Sequence, residues 1–316
     1  MNEIISQNNI LEQRIKSCLE LWWNQYPDST KQTYINSIKR LGTFVSEEVQ
    51  NIPAFLLRLQ AVDAFELFTA FRIWMKEKYS SSTVNLTLSA LRSLLKLMRS
   101  LNLIEYDIAF RNLKSSPLRD TSGPGRENIK TVINFLSHPC LDEKEECRRR
   151  RNLCIIRLFA DLGIRRSELC NLKWEDYIDD NIWITRKGDN EKTSLSIPIS
   201  SALALDSWKE LHPGTTEYIF CSLGRRTDQW GNPLSGKQLR KIVQRIGKQF
   251  GLKLNPHGFR HTAITEAMKL AQALGKPIES VLQFSGHQNL NMLMVYRDNI
   301  ENVQGEIAKA VSMSYD

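Results

Sequence analysis

The chain has 316 residues, 41% hydrophobic and 25% charged, an ordinary globular composition with apolar material for about two cores of usual size. Lysine plus arginine exceed aspartate plus glutamate by 43 to 35, a net charge of +8 that points toward polyanionic partners. No run approaches the roughly 18 apolar residues of a membrane span, MNEIISQNNILEQRIK lacks the basic start and apolar stretch of a secretory signal, and ten prolines with fifteen glycines are too few for a disordered chain.

Residues 9–27 carry apolar positions at helical spacing, among them Leu11, Ile15, Cys18, Leu19, Trp22 and Trp23, and Pro27 ends that helix. Asp28, Ser29 or Thr30 offers a cap to the next, whose Tyr34, Ile38, Leu41 and Val45 fall on one stripe. Helices follow at about 62–78 and 82–101; the serine run Ser80–Ser82 opens the latter, and Leu88, Leu91, Leu94, Leu95 and Met98 stripe it. The period is 3.6 throughout, so residues 1–112 are expected to form an all-helical domain. Residues 113–127, containing KSSPLRDTSGPGRE, read as an exposed connector.

Residues 128–316 read as a mixed, mainly α domain, its first helix opening at the connector's end. Helices are expected at 127–137 and 146–162. NIWITRKGDNEKTSLSIPI then reads as two short strands around a polar turn, with Ile182 and Ile184 flanking Trp183 and with Leu195 and Ile197 in the second strand. Further helices are expected near 200–210, 235–250, 258–274, 277–284, 290–298 and 300–312. The six cysteines, Cys18, Cys140, Cys147, Cys154, Cys170 and Cys221, show neither C-x-x-C nor zinc-type spacing, and read as small buried hydrophobes of a reducing compartment. With no export signal, the cytoplasm is the expected location.

Three blocks carry residues suited to chemistry. In DLGIRRSELCNLKWEDY, Gly163 breaks one helix and Ser167 and Glu168 begin the next, which places Arg165 at a junction. The hairpin presents Lys187 before Gly188. In NPHGFRHTAITEAMKL and LQFSGHQNLNMLMVYRDN, His257 and Arg260 are three apart at a helix start, and Tyr296 lies nine residues after His287. Two arginines, a lysine, two histidines and a tyrosine solve one chemical problem, metal-free nucleophilic attack on a phosphodiester. Arginines hold the non-bridging oxygens and offset transition-state charge. The phenol, with a pKa of about 10, is the nucleophile. A lysine protonates the departing oxygen, and histidines act as bases or donors. Each residue alone reads as readily as structural: an arginine in a surface ion pair, a turn lysine, a capping histidine, a core tyrosine, with His261 as a core histidine. Their joint order favours function.

GIRRSEL, HGFRHT and SGH followed by tyrosine resemble the boxes of the tyrosine recombinases, or phage-type integrases. The resemblance covers the second half of the chain and implies a helical core-binding (SAM-like) domain followed by an α+β catalytic domain with a small β-hairpin, the pair clamping duplex DNA. It implies that Arg165 and Arg260 hold the scissile phosphate, Lys187 acts as general acid, His257 is the acid/base partner of the nucleophile, His287 donates to the phosphate, and Tyr296 attacks to form a 3′-phosphotyrosyl ester. Glu168 takes a supporting role. Arg166 competes with Arg165 for register, Lys192 with Lys187 within the hairpin, and Tyr315 with Tyr296; the G-x-R-x-S-E-L frame, the lysine–glycine turn and the distance from His287 favour the first of each. Ser285 stands where a leucine is usual. The resemblance further implies double-stranded DNA as partner, a tetramer on two DNA sites, accessory DNA-bending proteins in some systems, nucleoid association, and neither metal nor other cofactor. A helix start near residue 9 favours a layout like that of simple Xer-like or integron- and transposon-type enzymes, without the arm-binding domain of lambda-type integrases. A short amphipathic segment near 300–312 is expected to dock on its own domain or on a neighbouring protomer. The rival readings are an inactive DNA-binding protein of the same fold and a type IB topoisomerase-like relaxing enzyme.

Overall fold

The computed structural model describes residues 13–15, 17–107, 111–114, 123–186, 188–224, 230–290, 292–293, 296 and 311–314. It divides into two units, Met1–Ser116 and Pro117–Asp316, so the division falls inside the expected connector.

The first unit is helical among its described residues: α1 (residues 17–24), α2 (Asp28–Val45), α3 (Ile52–Leu57), α4 (Ala61–Lys78) and α5 (Ser81–Ser100). In α5 the i, i+4, i+7 spacing of Val84, Leu88, Leu91, Leu95 and Met98 forms one stripe, and all five are fully buried. Each such side chain contributes about 1.5–3 kcal/mol on burial, which holds α5 against α2. Ser80 caps α5, accepting from the Thr83 amide. The cap expected from Asp28, Ser29 or Thr30 takes another form: the N-cap is Pro27, and Asp28 is already in the first turn, paired with Lys31 at 3.3 Å. Proline at that position loses no helix bond, and an acidic first turn suits the helix dipole. The short α3 is not among the expected helices; its Pro53 sits in the first turn, where the missing amide costs nothing.

The second unit holds α6 (Arg126–Ser137), α7 (Glu143–Leu162), α8 (Arg166–Cys170), strands β1 (Tyr177–Ile178), β2 (Asn181–Thr185) and β3 (Lys192–Ser196), then α9 (Ile199–Glu210), α10 (Gly236–Gln249), α11 (Pro256–Ala273) and α12 (Glu279–Ser285). The sheet is antiparallel in the order β1-β2-β3, with Ile182 opposite Leu195 and Thr185 opposite Lys192. Ile182 and Ile184 are buried while Trp183 faces out, as strand alternation requires. One core, including Phe159, Trp208, Phe220 and Phe259, joins α7, α9 and α11 under the sheet. The glycines ending the expected connector lie against α11: the Gly125 amide donates to Thr262 Oγ1 at 3.2 Å, and a Cβ on Gly123 would collide with Thr262 and Gly258. Among the described residues no helix is long and apolar enough to cross a membrane. Lys187, most of the expected 290–298 and 300–312 helices, and Tyr315 lie outside the described residues.

Candidate active site

Three chain breaks set the geometry. Gly163 ends α7 in the left-handed conformation, φ +58°, and turns the chain straight into α8. Arg165 is the N-cap of α8, and Glu168 reaches back to it: the Arg165 amide donates to Glu168 Oε2 at 2.6 Å, and its Nη1 donates to Oε1 at 2.8 Å. Glu168 is buried, so its bidentate engagement aims the guanidinium. At the second break, Asn255 caps α11 through the Gly258 amide at 2.8 Å and Pro256 occupies its first turn. That start lifts His257 to the exposed rim and turns Arg260, only 4% exposed, inward. The third is Gly286, φ +61°, which ends α12 and presents His287.

These elements meet. Arg260 donates from Nη1 to the Gly163 carbonyl and from Nη2 to the Ser285 carbonyl, each at 2.6 Å, and Nη2 lies 3.3 Å from His287 Nε2. Arg165 Nη2 donates to the Gly286 carbonyl at 3.2 Å. The Tyr296 ring is 5.8 Å from that of His287 and 4.7 Å from that of His261, and it is buried with Ile264, Met268, Val281 and Leu293. Arg165, His257 and Arg260 line a cavity of about 460 Å³, with Arg166 and Arg240 on its wall. Five expected site residues therefore converge. His257 lies on the cavity side, whereas the histidines whose rings approach Tyr296 are His261 and His287. Lys192 is engaged elsewhere, donating to Asp176 Oδ1 at 2.5 Å.

Burial and neighbouring cations set the protonation states. Desolvation, then the Arg165 charge, bring Arg260 down to about 10, which leaves it charged at neutral pH. Desolvation and the cations Arg260, Arg165 and Arg186 push His287 down to about 4. A guanidinium only donates, so neutral His287 accepts at Nε2 and carries its proton on Nδ1, a buried atom with no hydrogen-bond partner among the described residues. His257 and His261 are also held below the usual imidazole value: the protein mass around each ring acts first, then Arg260 on His257 and His257 on His261. Burial raises the Tyr296 phenol, and Arg260 and Arg165 oppose that rise without cancelling it.

The histidine shifts give a stability prediction. An imidazole harder to protonate when folded leaves the unfolded chain binding more protons between about pH 4 and 6.5. Its contribution is therefore complete above about pH 6.5 and lost as the pH falls through that window. Melting temperature measured from pH 8 to 4.5 is expected to hold level and then drop, with a shallower drop in His287→Asn; parallel profiles for the two proteins would contradict this.

Sequence reasoning misses Arg186 and Arg240. The Arg186 guanidinium lies over Gly286, where a Cβ would collide with it, and Arg240 joins the cavity from α10. Nothing local in the sequence marks either, since each reaches the site across a long chain separation. Among the described residues no cluster of His, Cys, Asp and Glu could hold a metal ion.

Compared with known proteins, residues 127–302 match the pattern of the phage integrase family. A tyrosine recombinase of Synechocystis sp. is 29% identical over 314 residues, covering 96% of each chain. Among solved structures, a lambda integrase(75-356) dimer bound to a COC′ core site matches 90% of this chain and 96% of its own, with a TM-score of 0.64 and 18% identity. The XerH site-specific recombinase bound to palindromic difH substrate matches 91% of this chain and 78% of its own, at 0.62 and 21%. These structural likenesses show a shared fold.

Proposed function

Because the chain belongs to the phage integrase family, the tyrosine recombinases, we propose that it cleaves and rejoins double-stranded DNA at specific sites through a 3′-phosphotyrosyl intermediate. The observation that carries the proposal is the convergence of Arg165, Arg260, His287 and Tyr296, from four separate stretches of chain, beside one solvent-open cavity.

Arg165, oriented by Glu168, and Arg260 take the two non-bridging oxygens of the scissile phosphate. Tyr296 Oη attacks phosphorus: the Oη–P bond forms as the P–O5′ bond breaks, the phenol proton passes to His257, and O5′ leaves with a proton from Lys187 as a 5′-hydroxyl. The depressed His257 pKa keeps that imidazole unprotonated and able to accept at neutral pH. An oxygen that draws Arg260 Nη2 away also releases His287 Nε2, which donates to the phosphate after a tautomer shift. Attack by a 5′-hydroxyl from the partner duplex reverses the chemistry and regenerates the phenol, with four protomers on two sites exchanging strands. The ester conserves the bond energy, so no nucleotide is consumed.

The test is a duplex carrying the protein's footprinted site, nicked so that the cleaved end diffuses away. Wild-type protein is expected to accumulate as a denaturation-resistant DNA adduct, with or without EDTA. Binding without adduct would instead establish an inactive DNA-binding protein. Plasmid relaxation without strand exchange would establish a topoisomerase-like enzyme.

A further inference from the structure

Arg186 lies at the end of β2, immediately after Thr185, and its guanidinium reaches across to the turn that presents His287. Its Nη2 donates to the Gln283 carbonyl at 3.4 Å, and its head group fills the space over Gly286. Arg165 holds the other side of the same turn through the Gly286 carbonyl. Two guanidinium groups thus flank the residue before His287, while a third, Arg260, contacts His287 itself. Of the carboxylates that act on Arg186, Glu168 is committed to Arg165. Asp189 is exposed in the hairpin turn, and Arg186 forms no ion pair among the described residues.

Around the turn before His287, Arg165, Arg260 and Glu168 sum to +1, which matches a phosphodiester, while Lys187 loses its charge with the proton it gives to O5′. Adding half-buried Arg186 makes +2. A phenolate attacking a phosphodiester places about two negative charges on the reacting group at the transition state, one more than the ground state carries. Burial depresses the basicity of Arg186 and Arg260 first, and the like charge of Arg165 lowers both further, on Arg186 against the opposing pull of Glu168. A protein keeps such an uncompensated group where an anion completes it.

We propose that Arg186 is a third phosphate-facing arginine of the reaction centre, whose charge is matched to the doubly negative transition state rather than to the bound DNA. The inference rests on the recombinase reading. It separates Arg186 from a merely structural arginine, because a charge matched to the transition state acts on the rate and little on affinity.

Three variants test it by single-turnover cleavage of the nicked duplex and by anisotropy binding to intact duplex. Arg186→Ala and Arg186→Gln are expected to slow cleavage by about 10-fold, less than loss of a direct oxyanion donor. Arg186→Lys is expected to restore the rate to within about 3-fold, and all three to bind within about 3-fold of wild type. The proposal is overturned if Ala or Gln cleaves at the wild-type rate, if Gln recovers as well as Lys through the Gln283 hydrogen bond, or if affinity falls as far as rate. Absence of a wild-type adduct would remove the recombinase reading itself. The charge surplus then has its own readout: sodium sulfate, against sodium chloride of equal ionic strength, should raise the wild-type melting temperature more than that of Arg186→Ala, and equal rises would overturn the anion-facing assignment.

Discussion

Replacing Tyr296 with phenylalanine is expected to abolish the covalent DNA adduct, lowering its formation by at least about 10³-fold, as loss of a nucleophile does. The variant removes one oxygen and keeps the ring among Ile264, Met268, Val281 and Leu293. Folding and DNA affinity should therefore survive, with affinity changed by no more than about 2-fold. Denaturing gel analysis of the nicked-duplex reaction reads the adduct, and anisotropy reads the binding. An adduct of wild-type yield in Tyr296→Phe would move the nucleophile to another residue.

The second large effect is expected at the arginines. Arg165→Ala and Arg260→Ala should each lower cleavage by roughly 10²-fold or more, by analogy with loss of an oxyanion donor, while DNA binding weakens less because many other contacts position the duplex. The two should differ in stability. Without Arg165, Glu168 is a buried carboxylate whose only remaining partner in this group is the amide of residue 165, a loss of the kind that costs about 3–5 kcal/mol. Without Arg260, the Gly163 and Ser285 carbonyls lose their donor, at about 1–3 kcal/mol each where water cannot replace it. Lysine at either position keeps charge without the planar fork, and should recover stability better than rate. Near-wild-type cleavage by both alanine variants would overturn the clamp assignment.

The legible parts of the chain are those where one local signal decides the outcome. The α5 stripe with its Ser80 cap, the Gly163 break and the alternation of Ile182, Trp183 and Ile184 each follow from a few neighbouring residues. Strand β1 escapes sequence reading because Tyr177–Ile178 is too short to show a period and exists only through its pairing with Asn181 and Ile182. The site is legible as motifs, which give residue order and not reach. HGFRHT places His257 and Arg260 on adjoining turns of a helix, but only the fold shows one at the cavity rim and the other between two carbonyls. The same holds for His261, which reads as a core histidine and is one, yet its ring lies against Tyr296. Arg186 escapes because the hairpin's lysine–glycine turn is its conspicuous feature, and the contact that gives the arginine meaning is with Gln283, 97 residues away.

Both carbonyls that hold Arg260 lie at the carboxyl ends of helices, Gly163 closing α7 and Ser285 closing α12. A helix terminus carries only a fraction of an elementary charge. The buried cation is thereby held by partial dipoles instead of a full counter-ion, and its own unit of charge is left almost undiminished for an incoming anion. A carboxylate in the same place would anchor the side chain more firmly, but it would also cancel the attraction and repel the phosphate.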